Sequence, residues 1–463
     1  MFGRYLKSQT RSIALVVASA VLLGACASAP DLEDIRASFD APPDERPVRV
    51  SAEIGESAFG RRVARAVEDH PRLRATESSL RAAEARADGA GRAFLPRLSL
   101  GATLGTLLGS GGSSGGINPV VRVLQLVYDG GEAASRRVAA EARVFDARGA
   151  QQEVAAALTL DAVTAWFDLR AARARMRVAQ DNLDSHQTFL EQARERAEAG
   201  VGVSADVLTA RARLSTARSR VAEARARADN AEAAFVESFG RNAPTPLPQP
   251  ESAPDLPDEA DSELIASSPR IRGVDARIKA AEADLAVARA QRFPQLQVQG
   301  TGQRASGGGT DSRVDLDLNY EPGAPGERAA AIRAAEADLE GVRAERQTLA
   351  REIIRALADL RSDRRAGVAR LEAAREAVSA NEETVEAAQE EFSIGRRTLM
   401  GLLDAQRDLF EANETLIAAE RELALSGYGA LALTGDILDA FAIRLPGVEQ
   451  PGDDGAETDP EAS

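Results

Sequence analysis

One cysteine and two histidines in 463 residues leave little material for site chemistry. A lone Cys26 excludes an internal disulfide, and His70 and His186 recur at no metal-ligand spacing. No glycine-rich loop leads from a strand into a helix to cradle phosphate, and no serine sits on a nucleophile elbow. No enzyme activity and no cofactor are therefore expected. A formal net charge of −15 works against nucleic acid as a partner. Beyond an apolar run at 13–23, no segment is long and apolar enough to cross a bilayer as a helix. Aromatic residues make up only 4% of the chain, so any aromatic girdle is thin. Proline is missing altogether from 132–199 and from 327–394, and the glycines there (Gly149, Gly341, Gly367) are isolated.

What is present is a duplication. His70, Pro71, Arg72 and Leu73 answer to Ser268, Pro269, Arg270 and Ile271, and Leu95 to Leu98 answer to Phe293 to Leu296, both displaced by 198. Leu124 and Tyr128 answer to Leu316 and Tyr320 at 192, then Gly200, Ala210, Leu214 and Ala217 to Gly395, Ala405, Leu409 and Ala412 at 195. Matches kept in order over such a length mark a repeated fold unit. The repeats are read as 55–240, with a β-hairpin at about 97–128, and 263–440, with a hairpin at about 295–320.

Each repeat reads as a medium helix, two short strands, a very long helix, a corner and a further helix. Residues 59–94 carry apolar positions at helical spacing with a break at Pro71. Leu98, Leu100, Ala102 and Leu104 alternate with Ser99, Gly101, Thr103 and Gly105, a half-buried strand period, and residues 109–116 are a Gly/Ser loop. Val314, Leu316, Leu318 and Tyr320 alternate likewise with Asp315, Asp317 and Asn319. The proline-free stretches predict long helices over 132–199 and 327–394, each about 100 Å at 1.5 Å per residue. Leu158, Trp166, Leu169, Met176 and Leu183 form an apolar stripe on the first of them. Gly200 and Gly395 suit the left-handed residue that ends a helix, and Ser204 and Thr398 suit caps of the next one. The fold class is mainly α with a small β part.

Targeting residues flank the repeats. Arg4, Lys7 and Arg11 precede the apolar run, and Leu23-Gly24-Ala25-Cys26 resembles a bacterial lipobox, with 1–25 as signal peptide, Cys26 as the lipid-bearing residue and 26–54 as an N-terminal tail. Removing the signal takes away three basic residues and moves the formal charge from −15 to −18. A linker at 241–262 is rich in proline, and 446–463 reads as a disordered acidic tail. If the chain crosses a membrane it does so by strands in a closed barrel, because open sheet edges have no partner in lipid. Four strands are too few to close one, so two chains with eight or three with twelve are required.

The duplication, Tyr128-Asp129-Gly130-Gly131 and the corner segments resemble the TolC-like outer-membrane efflux proteins, particularly the lipidated branch that works with RND pumps. The most specific piece is the run from Phe392 through Gly395, Arg397, Thr398 and Asp404 to Gln406. The resemblance implies a homotrimer whose twelve-stranded β-barrel, set in outer-membrane lipid, continues into a twelve-helix periplasmic barrel. It also implies partnership with a periplasmic adaptor and an inner-membrane pump. Matched residue by residue, Arg397 and Asp206 occupy the positions of a gating ion pair and Asp404 that of an acidic ring, while a second acidic position holds Gly401. Gly200, Ser204, Gly395, Thr398 and Leu399 mark the corner turns and adaptor contact. A type I protein secretion channel and a lipid-anchored coiled-coil scaffold without a pore remain open alternatives at this level. The lipobox reading is checked by labelling cells with tagged palmitate: the wild-type chain is expected to take up label, and Cys26→Ser to lose it.

Overall fold

The computed structural model describes residues 30–40, 53–106, 115–200, 202–254, 261–304, 310–321 and 323–445. The expected signal peptide, Cys26, most of the expected Gly/Ser loop and the acidic segment 446–463 lie outside these residues. The described chain is mainly helical, with one small antiparallel sheet. In order it forms α1 (Glu33–Asp40), α2 (Glu53–Glu56), α3 (Ala58–Glu68), α4 (Pro71–Gly91), β1 (Arg97–Thr106), β2 (Gly115–Tyr128), α5 (Glu132–Glu198) and α6 (Ser204–Phe239). Then come α7 (Asp261–Ser267), α8 (Pro269–Ala290), β3 (Gln295–Arg304), β4 (Thr310–Asn319), α9 (Glu327–Ser393), α10 (Leu399–Thr434) and α11 (Ile437–Ala440). The duplication is visible in element lengths: α5 and α9 have 67 residues each and α6 and α10 have 36 each. No described helix is long and apolar enough to cross a membrane.

The break at Pro71 has a local cause. Proline lacks an N–H and stands at the first position of α4, where none is needed. The Nδ1 of His70 accepts the N–H of Arg72 at 3.1 Å, so this histidine caps the helix.

The chain divides into two compact units, residues 1–41, 76–151 and 270–349 in the first and 42–75, 152–269 and 350–463 in the second. In the first unit the four strands pair in the order β1-β2-β3-β4, all antiparallel. Leu98 opposes Val123, Leu100 opposes Val121, Leu296 opposes Leu318 and Val298 opposes Leu316, which collects apolar side chains on one face. The other face carries Ser99, Arg122, Gln297, Gln299, Thr301, Asp315 and Asp317. A bulge between Leu126 and Tyr128 ends β2, and the second strand reaches back to Gly115, so the last two glycines of the expected loop belong to it.

The junction from β2 to α5 rests on Asp129. Its carboxylate accepts the N–H groups of Gly131 at 3.0 Å and Ala133 at 2.6 Å. Gly130 has φ 69°, and a Cβ there would stand 2.7 Å from that of Phe293. Buried Glu132 then accepts from the amides of Gln291 (3.1 Å) and Gln295 (3.0 Å) and pairs with Arg136. The short helix α1 packs Ile35 and Phe39 on Phe145 and Ala276, and Leu32 on Ala142 and Ala280. Cross-helix ion pairs such as Arg143 with Asp284 and Arg289 with Glu336 lie on the exposed surface of the first unit's helices.

In the second unit the scarce aromatics are concentrated. Phe59 lies 5.0 Å from Trp166, 6.3 Å from both Phe167 and Tyr428, and 5.6 Å from Phe441 between ring centroids. Phe235 and Phe239 complete the cluster against Trp166. Trp166 and Leu169 on the expected stripe are fully buried, while Met176 and Leu183 are half-buried. The proline-rich stretch 241–254 is fastened along its length. Arg173 donates to the carbonyl of Pro244, Glu232 accepts from the N–H of Ala243, and the hydroxyl of Tyr428 donates to the carbonyl of Glu251.

His186 is buried in this unit beside the ring of Phe189, and burial together with Arg220 and Arg213 lowers its pKa to about 4. Its folded pKa lies below the unfolded value of 6.5, so between these values the unfolded chain binds the extra proton and stability falls as pH falls. Wild type is expected to lose stability relative to His186→Leu between pH 6.5 and 4, on the order of 1–3 kcal/mol per chain. Parallel thermal midpoints of the two proteins across that range would show that the imidazole is not the source.

Candidate functional site

The corner residues singled out in the sequence all lie in the second unit, where two helical hairpins turn. Buried Phe189, Leu190 and Ala193 of α5, Ala210 and Leu214 of α6, Ala388 and Phe392 of α9, and Leu399, Leu402, Leu403 and Ala405 of α10 form one core. That core brings the corner at Gly200 and the corner at Gly395 together.

Both corners end a helix in the same way. Gly200 and Gly395 have φ 76° and 77°, a conformation that L side chains adopt only with strain. At the first, the N–H of Gly200 donates to Ala197 at 3.1 Å and that of Gly202 to Arg196 at 2.9 Å. At the second, the N–H of Gly395 donates to Phe392 at 3.0 Å and that of Arg396 to Glu391 at 2.9 Å. Each corner then needs three residues to reach the next helix cap, Val203 in one case and Thr398 in the other.

The caps differ chemically. Thr398 accepts the N–H of Gly401 on its Oγ1 at 3.3 Å. Val203 has no group to offer, and Ser204, expected as the cap, is instead the first helical residue, one position too late for its hydroxyl to cap α6. Leu399, expected among the adaptor contacts, is 2% exposed in the core and holds the corner from beneath. The apolar residues exposed beside the corners are Val203, Leu208, Ile394 and Met400.

Arg397 donates to Glu391 at 3.3 Å, and among the described residues no ion pair joins it to Asp206. Asp206 lies in the first turn of α6, where the helix N-terminus favours a negative charge. In the repeat register of 195 its counterpart is Gly401. A Cβ at Gly401 would stand 3.0 Å from the Nε of Arg397, so the bare backbone makes room for that guanidinium. Asp404 is half exposed and is paired with Arg407 at 3.2 Å. Arg407 also meets Asp408 at 3.0 Å and Glu411 at 4.0 Å.

Two residues here were not singled out from the sequence. Arg407 follows Asp404 by three positions, a spacing that puts the two side chains on one helix face. Arg196 donates to the carbonyl of Phe392 at 2.6 Å and lays its guanidinium 4.9 Å from the Phe392 ring centroid, satisfying one helix end from the other hairpin. Its signal was a basic residue in the last turn of a helix. Among the described residues no group of His, Cys, Asp and Glu could hold a metal ion.

Comparison with known proteins agrees with this architecture. The model of the outer membrane efflux protein family matches residues 63–241 and 261–428. The chain is 25% identical over 331 residues to the outer membrane efflux protein BepC of Brucella suis, covering 68% of this chain and 71% of that protein. Its fold is similar to that of the outer-membrane channel OprN, with a TM-score of 0.77, 22% identity and coverage of 89% and 99% of the two chains. It is also similar to the MtrE channel of Neisseria gonorrhoeae, solved in an open state, with a TM-score of 0.76, 18% identity and coverage of 87% and 95%.

The unequal caps give a direct test. Thr398→Ala is expected to destabilise the start of α10 by about 0.5–2 kcal/mol, and Val203→Thr to stabilise the start of α6 by a similar amount. Hydrogen exchange of the first-turn amides reads both; unchanged exchange in both variants would mean that the corner core alone sets these helix starts.

Proposed function

The chain belongs to the outer membrane efflux protein family, and on that premise we propose that three copies close a twelve-stranded barrel and form the exit duct of a tripartite efflux system. The observation that carries this reading is the sheet. On its apolar face Leu98 and Leu318 are 65% and 68% exposed and Val314 is 79% exposed, while β1 and β4 pair with nothing on their outer edges among the described residues. A water-soluble sheet avoids that combination, and in hydrocarbon each open edge has unpaired backbone groups worth several kcal/mol apiece. Pairing β4 of one copy with β1 of the next removes every edge and turns the apolar face to lipid. The face bearing Ser99, Arg122, Gln297, Gln299, Asp315 and Asp317 then lines the water-filled lumen.

Nothing in the residues supplies energy for transport, so the duct conducts passively what a pump delivers. The corners are its periplasmic mouth. There, Val203, Leu208, Ile394 and Met400 offer apolar side chains to a periplasmic adaptor, with Gly200, Gly395 and Thr398 setting the turn that presents them. The gate is built from Arg397, Asp206 and Asp404. A single exposed pair contributes only about 0–1 kcal/mol, yet three symmetric copies bias a nearly balanced equilibrium between closed and open mouths.

The reading is tested with purified lipidated protein. Its mass in detergent is expected to be that of a trimer, and it is expected to conduct in discrete steps across a planar bilayer. Arg397→Ser should raise the single-channel conductance. Trimers that never conduct would point to a scaffold, and an Arg397→Ser trimer with wild-type conductance would remove Arg397 from the gate.

A further inference from the structure

The second unit also carries a basic cleft. The cleft has a volume of about 300 Å³ and is lined by Ala58, Arg61, Arg62, Arg65, Ala66 and Asp69 of α3 and its C-terminal end, with Phe239 and Arg241 from the end of α6. Four guanidiniums and one carboxylate gathered in one cleft stand against the chain's formal charge of −15. Some arginines on these helix surfaces are matched with carboxylates, as Arg173 is with Glu232 and Arg421 with Asp168. Among the described residues none of the four cleft arginines is in an ion pair; Arg61 donates to the backbone carbonyl of Glu56. The first turn of α3 adds the partial positive charge of a helix N-terminus to the same place.

The end of the described chain lies against the same helix. After α11 the ring of Phe441 packs 5.6 Å from that of Phe59, the residue two positions before Arg61. Gly55, just before α3, comes so near that a Cβ there would stand 3.0 Å from the Cβ of Ala442. The chain continues past residue 445 into a stretch with Glu449, Asp453, Asp454, Glu457, Asp459 and Glu461 and no basic residue. Its 18 residues span up to roughly 60 Å when extended and on the order of 25 Å as a flexible coil. A tether of that length holds its carboxylates near the cleft at a millimolar effective concentration.

Two other segments outside the described residues fit less well. Residues 41–52 balance Asp44 and Glu45 with Arg46 and Arg49. Residues 255–260 are acidic but are held at both ends by 254 and 261.

We propose that the acidic segment 449–461 docks in the cleft of its own chain, its carboxylates on Arg61, Arg62, Arg65 and Arg241. The contact is electrostatic and solvent-exposed, so it weakens with salt. It ties the C-terminal segment to α3, whichever assembly the channel adopts.

The near absence of lysine makes the contact measurable. Lys7 and Lys279 are the two lysines of the chain, so Arg65→Lys and, separately, Arg241→Lys each place a single new amine in the cleft. The full-length lipidated variants, checked for wild-type mass in detergent and helicity, are treated with a zero-length carbodiimide and mapped by mass spectrometry. The expected result in either variant is an amide between the new amine and a carboxylate of 449–461. It should appear in the band of single-chain mass, at least about fivefold more in low salt than at about 1 M salt, where the Debye length is near 3 Å. Coupling only to Asp69, coupling between chains, or no coupling in both variants would overturn the proposal. So would coupling to the segment that is indifferent to salt. None of these outcomes depends on whether the protein conducts.

Discussion

Isolated helices gain little from their own hydrogen bonds in water, and a 67-residue helix is held by what its face buries. In α5 that face is largely alanine: Ala139, Ala142, Ala155, Ala156, Ala162, Ala172 and Ala179 are buried, alongside a few large residues. Each alanine removes little apolar surface, so the stabilisation has to be collected over many turns. Small side chains also let neighbouring helices come close, which leaves no room for bulky substitutions along the contact. Length and alanine content are two consequences of one packing solution.

A packing stripe of that kind is nearly uniform along its axis and does little to fix register. The large side chains supply what alanine lacks. Phe59, Trp166, Phe167, Phe235, Phe239, Tyr428 and Phe441 meet in the second unit, and each can fill its site only at one axial position. In the first unit Glu132, held by Gln291 and Gln295, and Phe145 under α1 do the same. The chain spends its few aromatics where register has to be set, and few remain for the sheet.

The corners follow from the same constraint at the helix ends. A long helix leaves its last carbonyls without partners, and here they are met by Gly202, Arg396 and Arg397 backbone groups and by the side chain of Arg196. These contacts leave the half-exposed charges of Arg397, Asp206 and Asp404 in three different settings. Arg397 is held by the end of α9 through Glu391, Asp404 by Arg407, and Asp206 by the start of α6. Asp404 thus carries its own counter-charge, which lowers the field it presents.

The amino-acid sequence by itself determined the elements whose cause is local. Proline-free stretches with apolar spacing gave α5 and α9, period-two alternation gave the strands, and glycines able to take positive φ placed the corners at Gly200 and Gly395. The resemblance carried by the run around Arg397 pointed to the same family as the family model does. Contacts between residues far apart in the chain were decided by the tertiary structure alone. Arg196 reaches Phe392 across 196 positions, and Tyr428 reaches Glu251 across 177. Ser204 against Val203 as a cap turned on a single-residue offset, and Leu399 as a surface residue turned on which side of α10 faces the core. Periodicity says that a helix has a buried face, but which neighbour covers that face, and so which charges remain to pair with each other, follows only once the helices are packed together.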